Sequence, residues 1–399
     1  MYQRQAGAFF GNRERQVVRL ESAVFNLSMI PVYEPWVGME EAEAVKQAVV
    51  NGEFSGLFGK SLTAFEEQFS ARVGCRHGIA VTSGTTALHL AVAALHLPPG
   101  SEVLLSASTN IATALAIVHN GLVPVPIDSE PDSWNLNPDL IEDLITSRSR
   151  AIMPVHLFGR PARMDKIKAI AEKHNLKVIE DCAESHGATW HDRTTGSWGD
   201  MGCFSFLANK IITTGEGGMV VTNDDALAEE MRLLRNMAFK HPRFEHDRAG
   251  FNFRMTGYQA AFGLVQLSRF DEVLRRKRQV ADWYREYLRA IPGITLPVDC
   301  EEGKHVYWVY GILVDPSLER ESVMTWLEKA GVATRTFFCP MNLQPCFQEI
   351  PACRSVPCPV AEDLWQRGFY LPSGPNLSET QIEQIADLLG KAVQAAAKA

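Results

Sequence analysis

The sequence of 399 residues lacks long hydrophobic runs and lacks an excess of positive charge. Its longest apolar stretches, such as residues 151–155, have the length of a strand and are far too short for a membrane-spanning helix. The formal net charge of −8 argues against nucleic acid or an anionic membrane as the main partner, because both attract basic surfaces. With 46% hydrophobic and 22% charged residues, the composition is that of an ordinary soluble globular protein.

The eight cysteines include no Cys-x-x-Cys pair, and this absence bears on metal binding. Cys339, Cys346, Cys353 and Cys358 are close in sequence, but their spacing matches no standard zinc pattern. We therefore expect no metal site. Scattered cysteines without a framework are typical of reduced thiols, and they favour a cytoplasmic location.

The chain is too long for one compact core and predicts two domains. Its first residues contain no secretion signal, because the apolar stretch 6–10 is too short for one. Patterned sequence begins after Met29, so we expect residues 1–29 to be a poorly ordered arm, and the start of the reading frame is open to revision. Residues 30–270 are predicted to form a large domain and residues 271–399 a smaller C-terminal α+β domain.

The predicted large domain alternates short β runs with segments of helical length, which is typical of an α/β fold. Several runs are almost continuously apolar, as expected where helices cover both faces of a mostly parallel sheet. The predicted strands are Ile79–Thr82, Glu102–Ser106, Val123–Ile127, Ala151–Val155, Lys177–Glu180, Cys203–Phe206 and Gly218–Val221.

Helix signals lie between and after these strands. Thr63 followed by Glu66 has the spacing of a capping box and predicts a helix start at Thr63. In the C-terminal part, a charged helix is predicted over Asp271–Leu288, a strand over His305–Val314, and further helices over Val323–Ala330 and residues 379–396.

Three elements carry candidate chemistry, and each also has an ordinary structural interpretation. The turn Thr82–Thr86 lies between a strand and a helix, so it offers free N–H groups for an anion; a simple capped turn would look the same. Asp181 follows the strand Lys177–Glu180, where parallel sheets bind ligands, although it could also cap the next helix. With Glu180 and Glu184 nearby, it predicts a buried acid that needs a cationic partner.

Lys210 is the third element. A lone lysine is usually a solvated surface group. This lysine, however, lies between the β run 203–206 and the glycine-rich turn 215–218. In such a pocket the amine loses solvation, its pKa falls, and the neutral form can attack an aldehyde. The order of the three elements, rather than any one of them, predicts a pyridoxal-phosphate (PLP) enzyme.

The chain resembles the DegT/DnrJ/EryC1/StrS family of PLP-dependent nucleotide-sugar aminotransferases, which have the type I aminotransferase fold. The similarity runs from about Ile30 to the C-terminus, and within the family the sequence is most similar to the GDP-perosamine synthase type. The motifs that carry it include SGTTALHLA at 83–91, VIEDCAESHGA at 178–188, NKIITTGEGGMVVTND at 209–224, GFNFRMTGYQAAFGLVQL at 250–267 and LPSGPNLSETQIEQI at 371–385.

The resemblance implies a role for individual residues. Lys210 would hold PLP covalently and move the proton, and Asp181 would pair with the ring nitrogen of the cofactor. Asn252 would reach the phosphate in the neighbouring subunit, which implies a homodimer with shared active sites. The remaining cofactor contacts would come from Gly84, Thr85, Asn110, Glu184 and Ser205, and the substrate contacts from His186, Arg335 and Phe337.

Two positions depart from the family pattern. Asn110 stands where many relatives place an aromatic ring over the cofactor, and Asn342 stands where relatives often have histidine. An amide covers a ring face with less dispersion contact than an aromatic side chain does. Both departures concern substrate choice and cofactor affinity rather than the chemistry.

The implied reaction moves the amino group of L-glutamate to the 4-keto carbon of a nucleotide-linked 4-keto-6-deoxyhexose, with GDP favoured, for surface polysaccharides such as O-antigen. A UDP- or dTDP-ketosugar aminotransferase acting at C3 or C4 is the alternative. The dehydratase branch of the family replaces the catalytic lysine with histidine, so Lys210 argues against it. A non-catalytic scaffold would require loss of the lysine, the acid or the phosphate turn, and all three are intact.

Overall fold

A computed structural model describes residues 29–242, 244–348 and 354–398 of the chain. The predicted N-terminal arm lies almost entirely outside the described residues. The helices are α1 Met39–Val50, α2 Ser61–Val73, α3 Gly84–Ala94, α4 Ile111–Val118, α5 Ile141–Leu144, α6 Met164–Lys173, α7 Asp225–Arg235, α8 Gly257–Ser268, α9 Phe270–Leu288, α10 Arg320–Lys329, α11 Pro345–Gln348, α12 Pro359–Arg367 and α13 Glu379–Ala396.

The strands form a large central sheet and two smaller sheets. They are β1 His77–Val81, β2 Glu102–Ser106, β3 Val123–Ile127, β4 Ser149–Met153, β5 Lys177–Asp181, β6 Thr189–Trp190, β7 Arg193–Thr194, β8 Met201–Ser205, β9 Gly218–Thr222, β10 Ile294–Thr295, β11 Gly303–Lys304, β12 Tyr310–Val314, β13 Arg335–Thr336 and β14 Gly368–Leu371.

The central sheet has seven strands in the order β1-β9-β8-β5-β4-β2-β3. The pairs β8–β5, β5–β4, β4–β2 and β2–β3 are parallel, whereas β9 is antiparallel to both of its neighbours. Four of these strands are buried along their whole length, so their apolar runs leave no alternating pattern. The expected α/β class with a mostly parallel sheet is confirmed.

Helix α2 begins two residues before the predicted capping box, and the prediction at Thr63 is wrong. Its first N–H groups at Lys60 and Ser61 donate instead to the carboxylate of Glu53, at 3.1 and 2.8 Å. Glu66 faces the sheet, where it accepts a hydrogen bond from the Ala80 N–H at 2.8 Å. A distant carboxylate therefore caps this helix, which the local sequence pattern does not reveal.

The smaller domain is built on the antiparallel sheet β10-β12-β14-β13, against which α9 and α13 pack. Helix α9 follows the large domain directly, with the predicted boundary at 270/271 falling inside it. The predicted strand over His305–Val314 is correct only from Tyr310. The preceding residues leave the sheet, with Tyr307 at φ +50°, and line the junction between the two domains.

The chain before α1 is attached to the small domain. Ile30 pairs with Val332, and the Val32 carbonyl accepts a hydrogen bond from the Ser373 N–H at 2.8 Å. Among the described residues, no helix is both long and apolar enough to cross a membrane.

Candidate active site

Asp181 ends β5 at the carboxyl edge of the parallel strands, the edge at which such sheets bind ligands. Its carboxylate is buried and accepts hydrogen bonds from the Thr113 hydroxyl at 2.8 Å and from the Ala183 N–H at 3.1 Å. Burial raises the pKa of Asp181, while these two hydrogen bonds oppose the rise. Such a carboxylate gains stability from a cation or a shared proton on its open side.

Glu180, the preceding residue, has a different environment. Its two carboxylate oxygens accept hydrogen bonds from the N–H groups of Gly196, Trp198 and Gly199 at 2.7–2.8 Å, and His156 Nε2 lies 3.0 Å away. His156, Glu180 and Cys182 are close enough to suggest a metal site. Because both carboxylate oxygens of Glu180 already accept hydrogen bonds within the protein, we interpret this cluster as a structural hydrogen-bond network and not as a metal site.

Lys210 lies at the end of the turn that follows β8, and its side chain is buried. Its Nζ is 4.0 Å from Glu184 Oε1 and 3.8 Å from the centre of the Trp308 ring. Burial lowers the pKa of Lys210, while the carboxylates of Glu184 and Asp181 raise it. Burial raises the pKa of Glu184 to about 7. The site therefore contains a weakly basic amine beside a weakly acidic carboxyl, a pair suited to moving a proton.

The start of α3 forms an anion-binding turn next to this amine. Ser83 caps the helix by accepting a hydrogen bond from the Thr86 N–H at 3.1 Å. Gly84 packs against Ser205 so closely that a Cβ on Gly84 would lie 2.6 Å from the Ser205 Cβ. Thr85 is exposed at the same turn. The hydroxyl of Ser205 thus lies next to the first turn of α3, whose free N–H groups favour an anion.

These residues fit PLP. The start of α3 with Gly84 and Ser205 would hold the phosphate, the buried Asp181 would pair with the ring nitrogen, and the amine of Lys210 would hold the aldehyde carbon. Each donor has the chemistry that its part of the molecule requires.

A cavity of about 320 Å³ lies at the junction of the two domains, and Asn209, the residue before Lys210, is part of its lining. Arg335 and Tyr370 contribute the small-domain wall, and Tyr33, Asn209 and Trp308 contribute the wall next to the lysine. Arg335 is exposed and has no carboxylate partner among the described residues. The cavity therefore offers a free cation to an anionic ligand.

Two of the residues expected to contact the substrate are buried in the core. His186 is completely buried among the rings of Phe69, Phe204 and Phe206, and burial lowers its pKa to about 3. Phe337 is also buried, against Trp134 and Phe158. A motif match does not reveal this burial, and the substrate role of both residues stays a prediction.

The asparagines singled out in the sequence lie in three different places. Asn110 is the exposed N-cap of α4, with its side-chain oxygen accepting from the Ala112 N–H at 3.0 Å. Asn252 is exposed between Phe251 and Phe253, whose rings stack at 4.7 Å. Asn342 donates to Glu362 at 2.7 Å and lines a separate cavity of about 210 Å³.

Sequence reasoning missed Thr113, Tyr33 and Trp308. Thr113 gives no local signal, because it contacts Asp181 only when α4 packs beside β5. Trp308 lies within the predicted strand His305–Val314, but its contact with Lys210 depends on the domain junction. Tyr33 lies before the first helix and donates to the Lys210 carbonyl at 2.7 Å. The one available sequence signal for Tyr33 is a large aromatic side chain in a segment without regular secondary structure.

The fold and this constellation of lysine, acid and phosphate turn define a PLP-dependent aminotransferase. The model of the DegT/DnrJ/EryC1/StrS aminotransferase family matches residues 36–390, and the chain belongs to that family. It is 40% identical to the GDP-perosamine synthase of Caulobacter vibrioides, with 90% of this chain and 97% of that protein covered. It is 33% identical to the GDP-perosamine synthase of Vibrio cholerae, with 90% and 98% covered.

Two further relatives widen the comparison. The dTDP-3-amino-3,4,6-trideoxy-alpha-D-glucose transaminase of Streptomyces venezuelae is 34% identical, with 87% of this chain and 90% of that protein covered. The solved structure of an aminotransferase from Psychrobacter cryohalolentis superimposes with a TM-score of 0.85 at 29% identity, covering 92% of this chain and all of that chain. The expected type I aminotransferase architecture agrees with this likeness.

Proposed function

We propose that this enzyme transfers the amino group of L-glutamate to the 4-keto carbon of a GDP-linked 4-keto-6-deoxyhexose, for surface-polysaccharide biosynthesis. The observation that carries the proposal is the buried amine of Lys210, which lies 4.0 Å from a carboxylate and faces the ring of Trp308, a residue that lines the cavity of about 320 Å³ together with the exposed Arg335. Two relatives named as GDP-perosamine synthases favour the GDP substrate.

Cofactor binding is assigned to three groups of this chain. The first turn of α3 holds the phosphate with its N–H groups, and Ser205 adds a hydroxyl. Asp181 keeps the ring nitrogen protonated, since a buried carboxylate that accepts only two hydrogen bonds favours a cationic partner. PLP supplies the electron sink that lets a proton leave the carbon attached to nitrogen.

Proton transfer is assigned to Lys210. Because burial lowers the pKa of Lys210, its amine loses a proton more readily than that of an exposed lysine, and the neutral amine can accept a proton from the substrate carbon. Glu184 lies close enough to stabilise the charged form of Lys210 after that transfer. Burial of Lys210 against the ring of Trp308 limits the access of water to the amine while it holds the proton.

The substrate enters from the cavity between the domains, and Arg335 meets its diphosphate or the carboxylate of glutamate. Arg335 is exposed at the cavity and is free for such a contact. Arg248, by contrast, is paired with Glu230 at 2.8 Å and is not free for this role.

A competition assay tests the substrate. GDP-, UDP- and dTDP-linked 4-keto-6-deoxyhexoses are supplied at equal concentration with L-glutamate, and the aminated products are identified by mass and by NMR. The proposal requires preferred amination of the GDP-sugar at C4. Preference for a dTDP- or UDP-sugar, or amination at C3, would instead support the alternative, which the dTDP-sugar transaminase of Streptomyces venezuelae makes a specific competitor.

A homodimer with shared sites is part of the proposal. Apolar side chains are exposed along α1 and the loop that follows it, and they form a surface for a second copy: Val37, Met39, Val50, Phe54, Leu57 and Phe58. This loop packs on the segment after Asn252, with Gly56 against the Met255 carbonyl. The apolar surface therefore lies next to the segment that follows Asn252. A cytoplasmic location also stays a proposal.

A further inference from the structure

A second lysine is buried behind the active site. Lys277 lies on α9 and is 1% exposed, and no carboxylate pairs with it in the part of the chain that the structure describes. Burial lowers the pKa of Lys277 to about 7. A buried amine without an anionic partner destabilises the fold unless backbone carbonyls accept its protons, so its position calls for an explanation.

The contacts of Lys277 join two loops of the small domain. Its Nζ donates to the Trp308 carbonyl at 2.9 Å and to the Ser373 carbonyl. Trp308 precedes β12 and Ser373 follows β14, so one amine connects the ends of two neighbouring strands. The same Nζ lies 5.2 Å from the centre of the Tyr33 ring.

Two of these contacts lead directly to the backbone of the active-site turn. Trp308 Nε1 donates to the Asn209 carbonyl at 2.7 Å, and the Tyr33 hydroxyl donates to the Lys210 carbonyl at 2.7 Å. The Trp308 ring also faces the Lys210 Nζ at 3.8 Å. Lys277 thus contacts both aromatic residues that hold Lys210.

We propose that Lys277 is a positioning residue: it holds Trp308 and Tyr33 in the arrangement that fixes the backbone and the amino group of Lys210. This inference rests on the proposed function, in which Lys210 binds the cofactor. Lys277 itself does not touch the reacting atoms. Its effect passes through the Trp308 carbonyl, whose displacement moves the indole ring off the Lys210 amine.

The test variant is Lys277→Met, which keeps the length and the apolar part of the side chain and removes the donors. The matched control is Arg276→Met on the same helix. Arg276 also ties α9 to the small domain, through the carbonyls of Pro375 and Leu377, but it touches neither aromatic residue. Folding of both variants is checked by thermal unfolding.

The readout is the reactivity of Lys210 in protein freed of PLP. Competitive acetylation with acetic anhydride, followed by peptide mass spectrometry, gives the labelling rate of this one amine. In Lys277→Met we expect that rate to rise at least about tenfold, and the rate of covalent PLP attachment, followed by absorbance, to fall by a similar factor. Arg276→Met should change neither rate.

Each outcome decides the proposal. Equal rates in folded Lys277→Met and in the control overturn it. If Lys277→Met does not fold, the second variant is Trp308→Phe, which removes the hydrogen bond from Trp308 Nε1 to the Asn209 carbonyl. An unchanged labelling rate of Lys210 in Trp308→Phe also overturns the proposal. Attachment of PLP to another lysine in a Lys210→Ala chain would overturn the proposed function instead, so the two failures are distinct.

Discussion

Thr113 donates a hydrogen bond of 2.8 Å to Asp181 across 68 positions of sequence, from the first turns of α4 to the end of β5. The hydroxyl of Thr109 lies 2.7 Å from that of Thr113 and continues the chain of hydrogen bonds. This pair holds the carboxylate of Asp181 in one orientation and favours its charged form.

Replacing Thr113 with valine should therefore weaken PLP binding. Loss of the hydrogen bond raises the pKa of Asp181 further, because burial is then opposed by fewer donors. We expect the dissociation constant of PLP to rise about tenfold, which corresponds to the roughly 1–1.5 kcal/mol of such a hydrogen bond. Absorbance titration measures it. Thr113→Ser keeps the hydroxyl and should bind nearly as the parent does; equal affinity in the valine and serine variants contradicts the assignment.

Gly84→Ala should disrupt the phosphate turn. The new Cβ would lie 2.6 Å from Cβ and 3.1 Å from Oγ of Ser205, so α3 must shift away from β8. We expect the affinity for PLP to fall at least about tenfold, while binding of pyridoxal, which has no phosphate, changes little. Gly38→Ala is the control, since its nearest neighbour is a flexible Glu41 oxygen at 3.9 Å. An equal loss for both ligands would show that the turn does not hold the phosphate.

Glu184→Gln should change how stability depends on pH. Burial raises the pKa of Glu184 to about 7 in the folded protein, whereas in the unfolded chain this carboxyl has its ordinary pKa of 4.5. The folded state binds more protons in that window, so this group makes the protein less stable as pH rises from 4.5 to 7. The free energy of unfolding of Glu184→Gln, measured relative to the parent, should therefore rise by roughly 3 kcal/mol between pH 4.5 and pH 7. Above pH 7 this difference should stay constant.

Chemical unfolding of PLP-free protein at a series of pH values gives this difference. The exposed Glu216 provides the control as Glu216→Gln, which should follow the parent throughout. If the stability of Glu184→Gln relative to the parent does not change with pH, the carboxyl of Glu184 is not held protonated by burial.

Subunit mixing tests the shared site. Asn252→Ala and Lys210→Ala chains, each severely impaired alone, are mixed under conditions that exchange subunits. A heterodimer then contains one intact site and one doubly damaged site. We expect the mixture to recover activity up to about a quarter of the parent, as random pairing puts half of all dimers in that form. Mass spectrometry first demonstrates that subunits have exchanged. If activity then does not recover, the result counts against shared sites.

Much of the fold was predictable, because buried strands and amphipathic helices leave marks in local sequence. The seven strands of the central sheet were all expected, within two residues of their observed ends. The reversed direction of β9 was not, since the sequence of a buried strand carries no sign of its direction.

The site was predictable in its chemistry and less so in its geometry. Lys210, Asp181, Gly84 and Ser205 belong to motifs, and the structure places them around one region. Packing between distant elements determines the burial of His186 and Phe337 and the contacts of Thr113. Local sequence patterns therefore do not predict them.

Helix α9 runs without a break from one core into the other. Phe270, Val273 and Leu274 pack in the core of the large domain, and Val280, Tyr284 and Leu288 pack in that of the small domain. The two domains are thus connected by one continuous, packed helix instead of a flexible linker. A chimera that exchanges small domains between family members must keep this helix whole and match both of its faces, because a junction at residue 270 or 271 would cut through packed side chains.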